Sequence, residues 1–173
     1  MSKFNNQKGV GLTEVLVALI LLAIGVLGYV ALQLRAVDAS NEAVMRSQSI
    51  ILLRGLAESI RVNPLAQEDY AEALQTYSKD AIEEPDKLCV SDEVCTPSEM
   101  AAYDAYHTAL SVSQLGIRLT MADCPGVEDA TNKRQCIFAA WGETALDGDD
   151  YSDCMSDTGI YAAGSTCAMM EAY

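Results

Sequence analysis

The chain has 173 residues, of which half are apolar, and a formal net charge of −14. This length allows one modest domain with an extended segment. After Asn63, five Lys and Arg residues stand against 21 Asp and Glu residues, so the acidic charge belongs to the C-terminal part. Such a surface repels phosphates and argues against direct binding of nucleic acid. Its simplest interpretation is solubility of an exterior domain.

The N-terminal residues predict a helix that crosses a membrane. Lys3 and Lys8 precede residues 15–32, which carry no charge. As a helix, this uncharged run spans roughly 27 Å, close to a bilayer core. The positive-inside tendency keeps the leader cytoplasmic and sends the rest outward, with Arg35 as a weak opposing charge. A cleaved secretory signal is the alternative, but that class has a shorter apolar run followed by a polar mature start.

One carboxylate, Glu14, stands near the start of the apolar segment, four residues after Val10. An acid in such a segment is costly and marks a function. Together with the leader end Lys8-Gly9, this arrangement resembles the processing site of type IV prepilins. The resemblance implies cleavage between Gly9 and Val10, methylation of the Val10 amine, and a role for Glu14 in filament assembly. Most of that family begins with Phe, whereas the mature chain that the resemblance implies here begins with Val10.

The first helix is predicted from Val10 to about Val62, where Asn63-Pro64 ends it. Such a helix is on the order of 80 Å long. A globular head formed by the remaining ~110 residues is too small to cover that length. Residues 10–34 form its membrane and filament-core half, in which Gly25 and Gly28 indicate either local melting or close packing. Residues 35–63 form an amphipathic half that packs on the head, with a short coiled coil as the alternative. Its predicted apolar side contains Val37, Val44, Ile51, Ala36, Ala43, Ile50, Ala57, Leu53, Leu56 and Ile60.

Three further stretches of the first helix point to one subfamily of these pilins. They are ALQLR at 31–35, RSQ at 46–48 and LAESIRVNP at 56–64. These stretches are similar to PilV-type minor pilins. The resemblance is specific over residues 9–64, and over the head it is one of organisation only.

The head, residues 64–173, is predicted to contain two helices followed by strands. Helix is expected near 66–77 and from Thr96 to about Leu110, where Thr96 and Glu99 can form a capping box with Pro97 at the first position. Alternating apolar residues predict strands at 115–122 and 135–142, with a third at 167–170. Tyr103 and Tyr106 are expected in the core or an interface, and His107 in packing or at the surface.

Six cysteines, all beyond residue 88, predict a disulfide framework in an exterior compartment. Six cysteines allow 15 pairings, so the sequence does not decide among them. We favour sequential pairing, because each bond then closes a short polar loop: Cys89–Cys95, Cys124–Cys136 and Cys154–Cys167. A zinc site is disfavoured, because the chain has no C-x-x-C pair and one histidine.

No catalytic constellation stands out, and no cofactor is expected. The chain has one histidine, and Asp157-Thr158-Gly159 is better explained as a turn than as an acid-protease signature, which needs two cooperating aspartates. Four acidic residues offer weak calcium candidates, although their spacing departs from an EF-hand loop. They are Asp147, Asp149, Asp150 and Asp153.

The sequence therefore predicts an α+β, type IV pilin-like fold: a long N-terminal helix packed on a small antiparallel sheet with disulfide-closed loops. The resemblance implies a non-enzymatic minor pilin that helps to initiate pilus assembly, at or near the tip. It implies an inner-membrane protein with a periplasmic head that later enters an extracellular pilus. Its implied partners are prepilin peptidase, other minor pilins, the major pilin, the assembly platform and a tip adhesin. The alternatives are a type II secretion minor pseudopilin and a bitopic envelope protein with a binding head.

Overall fold

The computed structural model describes residues 11–79, 81–90, 94–127 and 134–173. The helices are α1 (Leu12–Val62), α2 (Gln67–Lys79) and α3 (Pro97–Ser113), and the strands are β1 (Ile117–Asp123), β2 (Gln135–Trp141) and β3 (Cys167–Glu171). This order confirms the predicted pilin-like α+β fold. The chain divides after Glu42 into two compact units.

In the first unit, the apolar part of α1 is exposed throughout. Its most apolar window of 18 residues has a mean hydropathy of 2.9 and no buried residue. By length and composition alone, α1 is the one helix in the described part of the chain that could cross a membrane. The helix continues through Gly25 and Gly28 without a break, so the structure gives no support to local melting there.

In the second unit, the C-terminal half of α1 presents one buried face, formed by Ser49, Leu53, Leu56, Ala57 and Ile60. Their spacing of three and four residues is that of one side of a helix. The prediction that Val37, Val44 and Ile51 belong to this face is wrong, because they are 57%, 51% and 65% exposed. Ala36 and Ala43, also predicted on this face, are exposed as well. The sheet and the other helices cover only the side that carries Leu53 and Ile60.

Helix α3 begins as its sequence predicts. The Thr96 hydroxyl accepts a hydrogen bond from the Glu99 amide, and the Glu99 carboxylate accepts one from the Thr96 amide. Its buried face is made of small residues, namely Ala101, Ala105, Ala109 and Val112. Tyr103 and Tyr106 are only half-buried, since the alanine face, and not the tyrosine side, turns to the core.

The sheet is antiparallel with the order β1-β2-β3. Ile117 lies opposite Trp141 in the first pair of strands, and Ala140 opposite Cys167 in the second. One face packs on the helices in a core that contains Ile137 and Ala139. The predicted alternation in β1 is incomplete, because Thr120 and Ala122 are buried as well.

A second core explains this double burial. Phe138 and Ala140, on the opposite face of the sheet, pack with Leu146 and Met155 from the segment between β2 and β3. The ring of Tyr151 stacks on Phe138 with centroids 4.1 Å apart. The sheet is therefore the middle layer of the head, with helices on one side and the C-terminal loops on the other.

Candidate functional site

Glu14 lies in the first turn of α1, where its amide donates a hydrogen bond to the Gly11 carbonyl at 3.0 Å. Its side chain is exposed, as are the apolar residues around it. A carboxylate near a helix N-terminus interacts favourably with the helix dipole. Glu14 is thus a single acid at the N-terminal end of a long, exposed apolar surface. Gly9 and Val10, the predicted processing residues, lie outside the described residues.

The six cysteines form three disulfides: Cys89–Cys95, Cys124–Cys136 and Cys154–Cys167. This is the sequential pairing expected from the loops they close. The second bond joins the ends of the β1–β2 connection, and the third ties the segment after β2 to the start of β3. A sheet of three short strands supplies little core by itself, and such bonds stabilise it by restricting the unfolded chain.

The acidic loop between β2 and β3 is held by two buried hydroxyl groups. The Gly148 amide donates to Oγ of Ser78 at 2.8 Å, and the Thr120 hydroxyl donates to the Gly148 carbonyl. Asp147 and Asp150 pair through their main chains at 3.1 and 3.0 Å. These contacts hold the loop against α2 and β1.

The calcium candidates do not form a ligand set in this loop. Among the described residues, no group of three or more Asp, Glu, His or Cys side chains is placed to hold a metal. One carboxylate, that of Asp150, instead accepts a hydrogen bond from the Ser152 amide at 2.9 Å, and this bond lowers the Asp150 pKa. Asp147, Asp149, Asp150 and Asp153 are all exposed.

A polar network joins the three helices inside the head. The fully buried Tyr70 donates its phenol hydrogen to Oδ2 of Asp104 at 2.8 Å. Asn63 donates to the Pro97 carbonyl at 2.8 Å and lies 3.4 Å from the Tyr70 oxygen. Burial raises the Asp104 pKa, which the Tyr70 hydrogen bond opposes. No local pattern in the sequence predicts this network; Asn63-Pro64 indicates only the end of α1.

Arg46 links α1 to the third disulfide. Its guanidinium donates to the Cys167 carbonyl at 3.5 Å and lies 6.0 Å from the centre of the Tyr161 ring. The distances suit a weak hydrogen bond and a cation–π contact. Arg46 and Cys167 are 121 residues apart, so no local pattern in the sequence predicts this contact.

A cleft in the head has a volume of about 1130 Å³. Glu68, Asp123 and Asp149 line it, together with the C-terminal Tyr173. Burial raises the Tyr173 pKa, and the carboxylates of Glu68 and Asp123 raise it further. The cleft contains acids and amides without a nucleophile and base in catalytic arrangement. Asp157-Thr158-Gly159 forms a turn, with Gly159 at φ 81°, as predicted.

His107 is exposed and lies beside Tyr103, with ring centres 6.0 Å apart. It is a surface residue of α3, one of the two roles expected.

Comparison with known families gives two matches. Residues 4–30 match the prokaryotic N-terminal methylation motif, and residues 31–106 match the Tt1218-like family, described as type IV pilin Tt1218. The two matches run from the leader through the first two helices and into α3. Neither a curated protein nor a solved structure matches the chain.

Proposed function

We propose that this chain, for which the two matches and the fold support the type IV pilin family, is a PilV-type minor pilin. It helps to initiate pilus assembly and enters the pilus at or near the tip. The observation that carries the proposal is the methylation motif at the start of α1, whose apolar N-terminal part is exposed and whose first turn holds one acid, Glu14. An exposed apolar surface of this extent needs lipid or other subunits to cover it.

The proposed route follows from the helix. Before assembly, residues 10–34 anchor the chain in the inner membrane with the leader in the cytoplasm and the head in the periplasm. Prepilin peptidase then cuts between Gly9 and Val10, and the Val10 amine is methylated. In the filament, Glu14 pairs with the Val10 amine of this or a neighbouring subunit, since a carboxylate in apolar surroundings needs a partner.

Two observations favour a minor subunit. The stretches ALQLR, RSQ and LAESIRVNP are similar to PilV-type chains. The head also concentrates 21 acids against five basic residues. Identical heads of this charge repel one another at close range, which disfavours a filament built from this chain alone. The proposed neighbours are other minor pilins, the major pilin and a tip adhesin, reached through the inner-membrane assembly platform.

The pilin family is structural, and the proposed role is accordingly not enzymatic. A minor pseudopilin of type II secretion is the second candidate, because the methylation motif is common to both classes of filament. The two candidates differ in what the filament does: one forms surface pili, and the other moves secreted proteins.

Deletion of the gene separates the candidates. A minor pilin deletion lowers surface piliation and leaves type II secretion intact, whereas a pseudopilin deletion does the reverse. Complementation with the wild-type chain restores piliation. Complementation with Gly9→Val, which blocks processing, leaves it low. Full piliation of the deletion strain would contradict the proposal.

A further inference from the structure

The exposed side of α2 carries a notch between two carboxylates and the Tyr77 ring, and Tyr106 of α3 lies beside that ring. We propose that this α2–α3 face, defined by Asp69, Glu72, Ala73, Tyr77 and Tyr106, docks a protein surface that carries Lys or Arg side chains. The proposal rests on the geometry of the head and does not depend on the role of the chain in a pilus.

The notch follows from the spacing of residues on α2. Asp69, Glu72, Ala73, Thr76 and Tyr77 line it, and positions separated by three or four residues share one side of a helix. The methyl group of Ala73 leaves space between the acids and the Tyr77 ring. The resulting volume is about 280 Å³, just below the usual range for small-molecule sites and suited to side chains of a partner.

The aromatic wall is a built feature of the head. The rings of Tyr77 and Tyr106 meet edge to face, with centres 6.4 Å apart and planes at 60°. The Tyr77 phenol donates to the Glu83 carbonyl at 3.3 Å, which limits the motion of the ring. Both tyrosines stay half-exposed. Rigid, half-exposed tyrosines are typical of protein interfaces, and their faces attract cationic side chains.

The negative charge of the α2–α3 face favours a positively charged partner. Neither Asp69 nor Glu72 forms an ion pair with another described residue, whereas Glu58, Glu99 and Glu171 each do. The surrounding head is strongly acidic, so an acidic partner or a nucleic acid is repelled. A Lys or Arg side chain in the notch can form ion pairs with both carboxylates and a cation–π contact with the Tyr77 ring. This complementarity favours a basic protein surface as the partner.

The test uses the full chain in a non-ionic detergent and a short peptide with several arginines as the probe. Binding is measured for the wild type and for Asp69→Asn/Glu72→Gln. The matched control, Asp153→Asn/Asp157→Asn, removes two exposed charges on the C-terminal loops and gives the same net charge. A third variant, Ala73→Leu, fills the notch without changing charge. Thermal unfolding checks that each variant is folded.

We expect the notch double variant to weaken peptide binding about tenfold or more, and the control to change it less than about twofold. Ala73→Leu weakens binding in the same way if it folds. Equal losses in the two double variants would overturn the proposal, because binding would then follow net charge alone. The proposal would also be overturned if the wild type bound spermidine, a small cation without a protein surface, as tightly as it binds the peptide. Absence of peptide binding by the wild type would overturn it too.

Discussion

The phenol of Tyr70 and the carboxylate of Asp104 form a hydrogen bond of 2.8 Å that joins α2 to α3 within the head. Tyr70 is fully buried, and its own pKa is raised well above the ordinary value, first by burial. Asn63 at the end of α1 approaches the same phenol oxygen at 3.4 Å. All three helices therefore meet at one buried polar group, whose loss affects their mutual packing.

Tyr70→Phe is predicted to lower the free energy of unfolding by about 1–3 kcal/mol, because Asp104 loses a donor in a half-buried position. The measurement is urea unfolding of the full chain, followed by the fluorescence of Trp141, the single tryptophan. Tyr103→Phe is the matched control on the half-exposed side of α3 and should change stability by less than about 0.5 kcal/mol. Equal effects of the two changes would contradict a special role for Tyr70.

Two carboxylates on α3 should respond to pH in opposite directions. Burial raises the pKa of Asp104 above 3.8, so its contribution to stability is complete below pH 3.8 and is lost as pH rises through the raised value. The backbone of Thr96 and then Lys87 lower the pKa of Glu99 below 4.5. The contribution of Glu99 is therefore present above pH 4.5 and is lost as pH falls through the lowered value.

Asp104→Asn should consequently gain stability relative to the wild type as pH rises through the raised Asp104 pKa. Glu99→Gln should lose stability relative to the wild type as pH rises toward 4.5 and above. Unfolding measured at several pH values from about 3 to 7 gives both differences. If the stability difference from the wild type changed with pH in the same direction for both variants, one of the two pKa shifts would be contradicted.

The start of α3 could be predicted because its signals are local. Thr96, Pro97 and Glu99 lie within one turn, and the structure forms the capping box they indicate. Its buried face could not be predicted in this way. Apolar size favours Tyr103 and Tyr106 as core residues, but close packing of α3 on its neighbours selects the alanine side, Ala101, Ala105 and Ala109. A pattern of hydrophobicity does not show which side of a helix faces a neighbour that packs closely.

The support of the acidic loop was equally hidden in the sequence. Ser78 and Thr120 are 70 and 28 residues away from Gly148, and they meet it only when the sheet and helices have formed. Four aspartates near Gly148 are weak calcium candidates from the sequence, and the contacts that the structure shows at Gly148 are hydrogen bonds between its main chain and hydroxyl groups. Glu14 shows the opposite case: its position in the chain indicates a function that no contact within the described residues reveals.

Thr120→Val is predicted to destabilise the head by about 1–3 kcal/mol, because the buried Gly148 carbonyl loses its hydroxyl donor while the side-chain shape is kept. Amide exchange at Gly148 should accelerate more than exchange in α3, since the change acts first on the loop. Thr158→Val on an exposed turn is the control and should have little effect. Unchanged amide exchange at Gly148 in the Thr120 variant would contradict the role of the Thr120 hydroxyl in holding the loop.

Glu14→Ala is predicted to leave membrane insertion intact and to lower incorporation into pili severalfold. The change removes a costly charge from an apolar segment, so anchoring is not weakened, while the proposed partner of the Val10 amine is lost. Glu58→Ala, an exposed acid paired with Arg61 at 2.8 Å on the same helix, is the control. Immunoblots of membrane and sheared-pilus fractions measure both quantities. Normal amounts of the Glu14 variant in pili would exclude this role.

The most direct test is intact-mass spectrometry of the chain in sheared surface filaments and in membranes. A pilus subunit predicts a chain that begins at methylated Val10, is six hydrogens lighter than its reduced form because of its three disulfides, and is present in the filaments. The processed chain in membranes alone would favour a priming complex or the secretion pseudopilin. A chain that still begins at Met1 would contradict the account, because the motif would then mark an anchored head that never enters a filament.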